Sequence, residues 1–234
     1  MSDPIKPVNR LLAALPAEEF SLLQPKLEEV PLTFAETIYE SGDVIGYVYF
    51  PNSGIVSLLS TVSERSQLEV GIVGNEGFVG LPVFLGVETS NYHALVQGAG
   101  AAMRIKAEDF LAECGKGELS RIVKRYTHSM LTQISQSAVC NRFHDIEPRL
   151  ARWLLMTGDR MASDKFQITQ EFLSNMLGVR REAVTLAARK LQQNNLISYS
   201  RGNVAILNRP DLEAVACRCY FIIKKEYESF SDDH

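Results

Sequence analysis

The residues best placed to do chemistry are Arg180, Arg181 and Glu182. They follow Gly178 and open a stretch in which Val184, Ala187, Ala188 and Leu191 recur at helical spacing. Two parallel N–H donors of an arginine match O6 and N7 of guanine, and a glutamate accepts from cytosine N4. Each good bidentate contact discriminates by roughly 1–3 kcal/mol. Such a trio at the start of a helix suits readout of base edges in a major groove. Thr185 stands where it could touch a base or a thymine methyl, and Arg189 and Lys190 lie about two turns on, suited to phosphates.

Presenting these side chains requires a particular frame. Thr169 is a suitable N-cap for a first helix whose apolar face is Phe172, Leu173, Met176 and Leu177. Gly178 ends that helix in a left-handed turn. Two short helices across a tight glycine turn form a helix-turn-helix, although plain core packing would show the same spacing. The following segment, Asn195 to Leu207, reads strand, turn, strand, with Arg201 beside Gly202 and Asn203 at its tip. That is a wing carrying a cation. Charge follows the same division. Residues 1–140 hold 10 basic and 16 acidic side chains, and residues 141–209 hold 11 and 6. A cationic block in a chain of net charge −4 is an electrostatic footprint for nucleic acid.

Upstream, residues 9–30 read as helical with a break at Pro16. Six short β-prone runs follow, at 37–39, 47–50, 55–59, 68–73, 93–96 and 101–105, separated by glycine and asparagine turns. Many short strands at near-regular spacing suggest a barrel or jelly roll. Residues 106–113 read as a short helix, and a long helix without proline or glycine runs from Glu118 to about Val139. Leu119, Ile122, Tyr126, Met130 and Gln133 recur on it at alternating three- and four-residue steps. This stripe is read as the dimer seam, the narrow stripe of a two-stranded coiled coil; the alternative is a helix packed on its own β-domain. Pro148 starts the next helix. The expected division is 1–117, 118–141 and 142–234.

These residues carry a family resemblance. The segment from Ile168-Thr169 to Leu207 resembles the winged helix of the Crp/Fnr regulators: Ile-Thr before the first helix, Gly178 in the turn, Arg181-Glu182 opening the second helix, and Asn195-Leu196-Ile197 before the wing. Gly42-Asp43, Tyr47 to Phe50 and Gly54 resemble that family's cyclic-nucleotide-type β-roll. The resemblance implies an α+β fold with an N-terminal β-roll (jelly roll), a long dimerisation helix and a C-terminal winged helix-turn-helix. It implies a homodimeric transcription regulator that binds double-stranded DNA at two half-sites, with RNA polymerase as a candidate partner and an effector the sequence does not name. It also implies that Arg181 meets guanine and Glu182 the paired cytosine or a neighbouring base.

The family's cyclic-nucleotide readers hold ribose and phosphate with Gly-Glu at the start of a cassette and Arg-Ser/Thr at its end. Here the cassette reads Gly77-Phe78-Val79-Gly80-Leu81 and ends with Tyr92-His93, and no arginine stands between Arg65 and Arg104. A buried phosphate would lack its strongest partner. The cassette residues Phe78, Val79, Gly80, Leu81, Tyr92 and His93 therefore outline an effector pocket that is not expected to take cyclic AMP in the usual way.

Four cysteines, Cys114, Cys140, Cys217 and Cys219, do not match an N-terminal iron–sulfur cluster. Cys217-Arg218-Cys219 could be a thiol switch, half a metal site, or two ordinary reduced thiols, while Cys114 and Cys140 stand isolated. Haem would have to rest on a single histidine among His93, His128 and His144. The expectation is no metal, no cofactor and no enzymatic activity, since no acid–base pair, nucleophile motif or phosphate-gripping glycine loop is present in the sequence. The N-terminus lacks a secretory pattern and no apolar run approaches membrane length, so a cytoplasmic location without membrane partners is expected. A competing reading is a ligand or redox sensor acting through protein partners, with a vestigial DNA-binding domain.

Overall fold

The computed structural model describes residues 7–63 and 66–228. The chain divides into two compact units, residues 1–58 with 72–128, and residues 59–71 with 129–234.

The first unit begins with helices α1 (Arg10–Ala13) and α2 (Ala17–Leu23), a single tight turn at Gln24–Lys26, then strands β1 (Glu28–Leu32), β2 (Thr37–Tyr39), β3 (Tyr47–Pro51), β4 (Ile55–Ser63) and β5 (Ser66–Val73). Helix α3 (Leu81–Phe84), β6 (His93–Gly98), β7 (Gly100–Lys106) and α4 (Ala107–Cys114) complete it. Two sheets face one another in the order β1-β7-β3 and β2-β6-β4-β5, the two-layer roll expected from the strand spacing. Strand β7 is central, pairing Val30 with Ala102 on one side and Val48 with Ile105 on the other. All six expected strands are present. The expected helix over 9–30 stops short, because Glu28 to Leu32 pairs with β7 instead. Asn9 fixes the entry to α1. Its Oδ1 accepts from Leu11 and Leu12 N–H, and its Nδ2 donates to the carbonyls of Pro51 and Gly77 at 2.9 Å each. One buried amide therefore caps a helix and ties it to two loops of the roll.

Helix α5 (Gly117–Phe143) is shared between the units, its course to His128 counted with the first and the remainder with the second. The long helix is thus not a separate domain, as the three-part division from sequence had it. Glu19 caps it, its carboxylate accepting from Glu118 and Leu119 N–H at 2.9 and 3.0 Å.

The second unit holds α6 (Ile146–Met161), β8 (Lys165–Gln167), α7 (Gln170–Leu177), α8 (Arg181–Gln193), β9 (Ile197–Ser200), β10 (Asn203–Ile206), α9 (Arg209–Val215) and α10 (Cys219–Glu228). Its core is Leu150, Trp153, Leu154, Leu173, Leu177, Val184, Ala188 and Leu191, all buried. The distal parts of β4 and β5 belong here too. Glu69 on β5 accepts a 2.8 Å hydrogen bond from the Trp153 indole.

Candidate nucleic-acid interface and sensor unit

Thr169 is the N-cap of α7, its hydroxyl accepting from Phe172 N–H at 3.1 Å. Gly178 ends α7 at φ +60°, and a Cβ there would come within 2.7 Å of Leu68 Cδ1, so the elbow between the helices requires glycine twice over. Helix α8 then starts at Arg181 with Arg180 in the cap position. Val184, Ala187, Ala188 and Leu191 pack inward, and Arg180, Arg181, Glu182, Thr185, Leu186, Arg189 and Lys190 are all exposed on the other face. At 1.5 Å per residue the exposed stripe from Arg181 to Arg189 spans about 12 Å, the width of a B-DNA major groove.

The charges on this face differ in how they are held. Among the described residues Arg180, Arg181, Arg189 and Arg201 take part in no ion pair, whereas Lys190 lies 3.3 Å from Glu147. An exposed pair of that kind contributes at most about 1 kcal/mol, so Lys190 can exchange Glu147 for a phosphate. The Thr185 hydroxyl is already engaged, within reach of Gln170 Oε1 at 2.8 Å and the Arg181 carbonyl at 3.0 Å. Its methyl, rather than its hydroxyl, is left to meet a base. Gln170, at the first position of α7, was not singled out from sequence.

The wing is a three-stranded sheet in the order β8-β10-β9. Sequence reading found the hairpin but missed β8, which is three residues long. The sheet is tied to α7 by Ile168, whose N–H donates to the Gly202 carbonyl at 2.7 Å and whose carbonyl accepts from Tyr199 Oη at 2.8 Å. Burial pushes the Tyr199 phenol up to about 12, so this hydroxyl remains a donor. At the tip, Arg201 and Gly202 both have positive φ, +50° and +81°. This is the two-residue hairpin turn that favours Asn-Gly, with a strained arginine in place of the asparagine. Replacing Arg201 by Asn should raise the stability of the fold by about 0.5–1 kcal/mol, read by thermal melting. It should also weaken DNA binding at every sequence alike and lower the log–log salt slope by about 1 per wing.

The sensor cassette departs from the expected pocket. Phe78 and Val79 are core residues, each 1% exposed. The Phe78 ring packs against Phe50, Phe110 and Tyr126 at centroid distances of 5.7, 5.5 and 4.9 Å. A side chain in place of Gly77 would strike the Tyr126 ring at 2.3 Å. Gly80 turns the chain at φ +110° into α3, where Leu81 is half-buried. Tyr92 is also half-buried, and the buried His93 ring lies 3.0 Å from Thr37 Oγ1. Tyr39 is buried as well, and burial pushes its phenol up. Phe78 and Val79 are therefore corrected from pocket lining to core: aromatic stacking, not a ligand, occupies the place where the family's readers keep a ribose-binding glutamate.

Helix α5 brings a second correction. Leu119, Ile122, Tyr126, Met130 and Gln133 are each 4% exposed or less within the single chain. The stripe assigned to a partner is the one that packs α5 on its own chain. The outward stripe is Lys124, His128, Leu131, Ser135, Ala138 and Arg142, again at steps of four and three. Leu131 on this stripe is 58% exposed, and Val139 and Phe143 beside it are 43 and 73% exposed.

A third correction concerns the thiols. Cys140, isolated in sequence, lies with its Sγ 3.4 Å from that of Cys217, and His144 and Cys219 join them. No helix among the described residues is long and apolar enough to cross a membrane.

The profile of the cyclic nucleotide-binding domain matches residues 30–116, and that of the Crp-like helix-turn-helix domain matches residues 148–215. No curated protein sequence matches the chain. Solved structures with the same fold include FixK2 from Bradyrhizobium japonicum, at 16% identity and TM-score 0.68 over 82% of this chain and 98% of that one. The c-di-GMP responsive global regulator CLP of Xanthomonas campestris is similar at 18% identity and TM-score 0.66, over 82% and 99%. A putative regulator of the Crp/Fnr family from Eubacterium rectale is similar at 18% identity and TM-score 0.65, over 88% and 96%. With both domains matched in order, the chain belongs to the Crp/Fnr family of transcription regulators.

Proposed function

We propose that this regulator acts as a homodimer that reads two DNA half-sites through Arg180, Arg181 and Glu182, under control of a signal other than a cyclic nucleotide held in the family's usual pose. The observation that carries this reading is the α8 face with the wing tip, where Arg180, Arg181 and Arg189 on the helix and Arg201 on the wing stand exposed and without a carboxylate partner among the described residues. Uncompensated like charge on one surface costs stability unless a polyanion meets it. That argues against a vestigial domain in a sensor that works through protein partners. The dimer is supported by the outward stripe of α5, whose alternating spacing and apolar Leu131 suit a helix pair across a two-fold axis. RNA polymerase is the further partner such a dimer would present itself to.

The test combines sedimentation with footprinting on genomic fragments. The native chain should sediment as a dimer and protect two half-sites with centres about 34 Å apart on one duplex face. Leu131→Arg should yield a monomer that retains its fold and loses DNA affinity by at least tenfold. A monomeric native chain that binds one half-site with full affinity would overturn the reading.

A further inference from the structure

The four side chains Cys140, His144, Cys217 and Cys219 meet where α5 ends and α10 begins, although 77 residues separate the first cysteine from the second. Their ligand atoms all lie within 4.8 Å of one another. The Cys219 sulfur is 3.6 Å from His144 Nδ1, and the Cys140 and Cys217 sulfurs are 3.4 Å apart. Tetrahedral zinc, with Zn–S of about 2.3 Å and Zn–N of about 2.0 Å, has edges of about 3.8 Å between two sulfurs and about 3.5 Å between sulfur and nitrogen. The cluster is close to that size before any ion enters. All three thiols are buried and the imidazole is half-buried, the enclosure usual for a structural metal site.

A second observation points the same way. Arg152 on α6 is 6% exposed, and its only hydrogen-bond partner among the described residues is the Met156 sulfur at 3.4 Å. No carboxylate among the described residues pairs with it, and its Nε is unsatisfied. A buried guanidinium without a counter-charge costs several kcal/mol. Its charge favours anionic sulfur at Cys140, Cys217 and Cys219, against the burial that favours the neutral thiols. Three thiolates, a neutral imidazole and a dication sum to one negative charge, which Arg152 neutralises.

We propose that Cys140, His144, Cys217 and Cys219 form a Cys₃His site for a thiophilic divalent ion of the zinc type, which clamps the end of α5 to the start of α10. Binding forms three metal–sulfur bonds and one metal–nitrogen bond and releases the thiol protons to solvent. The site is independent of the DNA-binding reading. Sequence reading saw at most half of it, as Cys217 and Cys219, and expected no metal.

Metal-free, reduced full-length chain titrated with Co²⁺ tests the proposal. The expected result is one Co²⁺ per chain, with intense thiolate-to-metal charge transfer in the near ultraviolet and tetrahedral d–d bands in the visible, both abolished by Zn²⁺. Arg152→Met should weaken Co²⁺ binding about 10- to 100-fold with the same spectrum. Cys219→Ser should lower the charge-transfer intensity by about a third, in proportion to the thiolates lost, and Cys114→Ser should change nothing. A native chain that leaves Co²⁺ in its octahedral, weakly absorbing form overturns the proposal, whatever the variants do. So does a reduced chain that binds no Co²⁺ and, on mild oxidation, joins Cys140 to Cys217 in a disulfide; that outcome makes the pair a redox switch.

Discussion

Substituting Arg181 by alanine should reduce affinity for the cognate operator by about 30-fold or more while barely changing affinity for unrelated DNA. Each lost bidentate contact to guanine removes roughly 1–3 kcal/mol of discrimination, and a dimer loses it at both half-sites, so the total is about 2–6 kcal/mol. Binding to unrelated sequence rests on phosphate neutralisation, and there the loss of one cation per protomer lowers the salt slope only slightly. Anisotropy titrations against cognate and scrambled duplexes across a salt series separate the two effects. Because Arg181 is exposed and in no ion pair among the described residues, its removal should leave the melting temperature within a degree or two of the parent. An unchanged ratio of cognate to scrambled affinity would move base readout away from α8.

The second large effect concerns Phe78. Restoring the family's glutamate with Phe78→Glu should not create a cyclic-nucleotide site; it should destabilise the first unit by more than about 3–5 kcal/mol. Removing a buried phenylalanine costs about that much by itself. The new carboxyl would also be placed among Phe50, Phe110 and Tyr126, at a position only 1% exposed. Domains of this size have about 5–15 kcal/mol in hand, so the variant should melt far below the parent or fail to fold at room temperature. Circular dichroism reads the loss, and calorimetry with cyclic AMP should give no binding heat with either protein. A Phe78→Glu chain that folds normally and binds cyclic AMP would show the cassette to be dormant rather than filled.

The reading helix was legible in sequence for a physical reason. A threonine cap, a glycine elbow and an alternation of apolar and charged residues act locally, within one or two turns of chain, and each left its mark at fixed spacing. The strands of the roll were legible for the same reason. Strand β1 was not, since Glu28-Glu29-Val30-Pro31-Leu32 shows no alternation and contains a proline; only its pairing with β7 makes it a strand, at a sheet edge where proline is tolerated. On α5 periodicity identified the buried stripe correctly and its partner wrongly, because spacing reports that Tyr126 and Met130 are covered and says nothing about by whom. The Cys140–Cys217 contact, across 77 residues, leaves no local trace at all. The same is true of the ring cluster around Phe78, which turns an expected binding cassette into packing.

Strands β4 and β5 root in the sheets of the roll, yet their residues Leu59 to Gly71 are counted with the winged helix. There Glu69 grips the Trp153 indole, and Leu68 fills the space left bare at Gly178, the elbow between α7 and α8. The bare α-carbon of Gly178 is thus a socket in which Leu68 seats, and any side chain grafted onto the elbow would have to evict it.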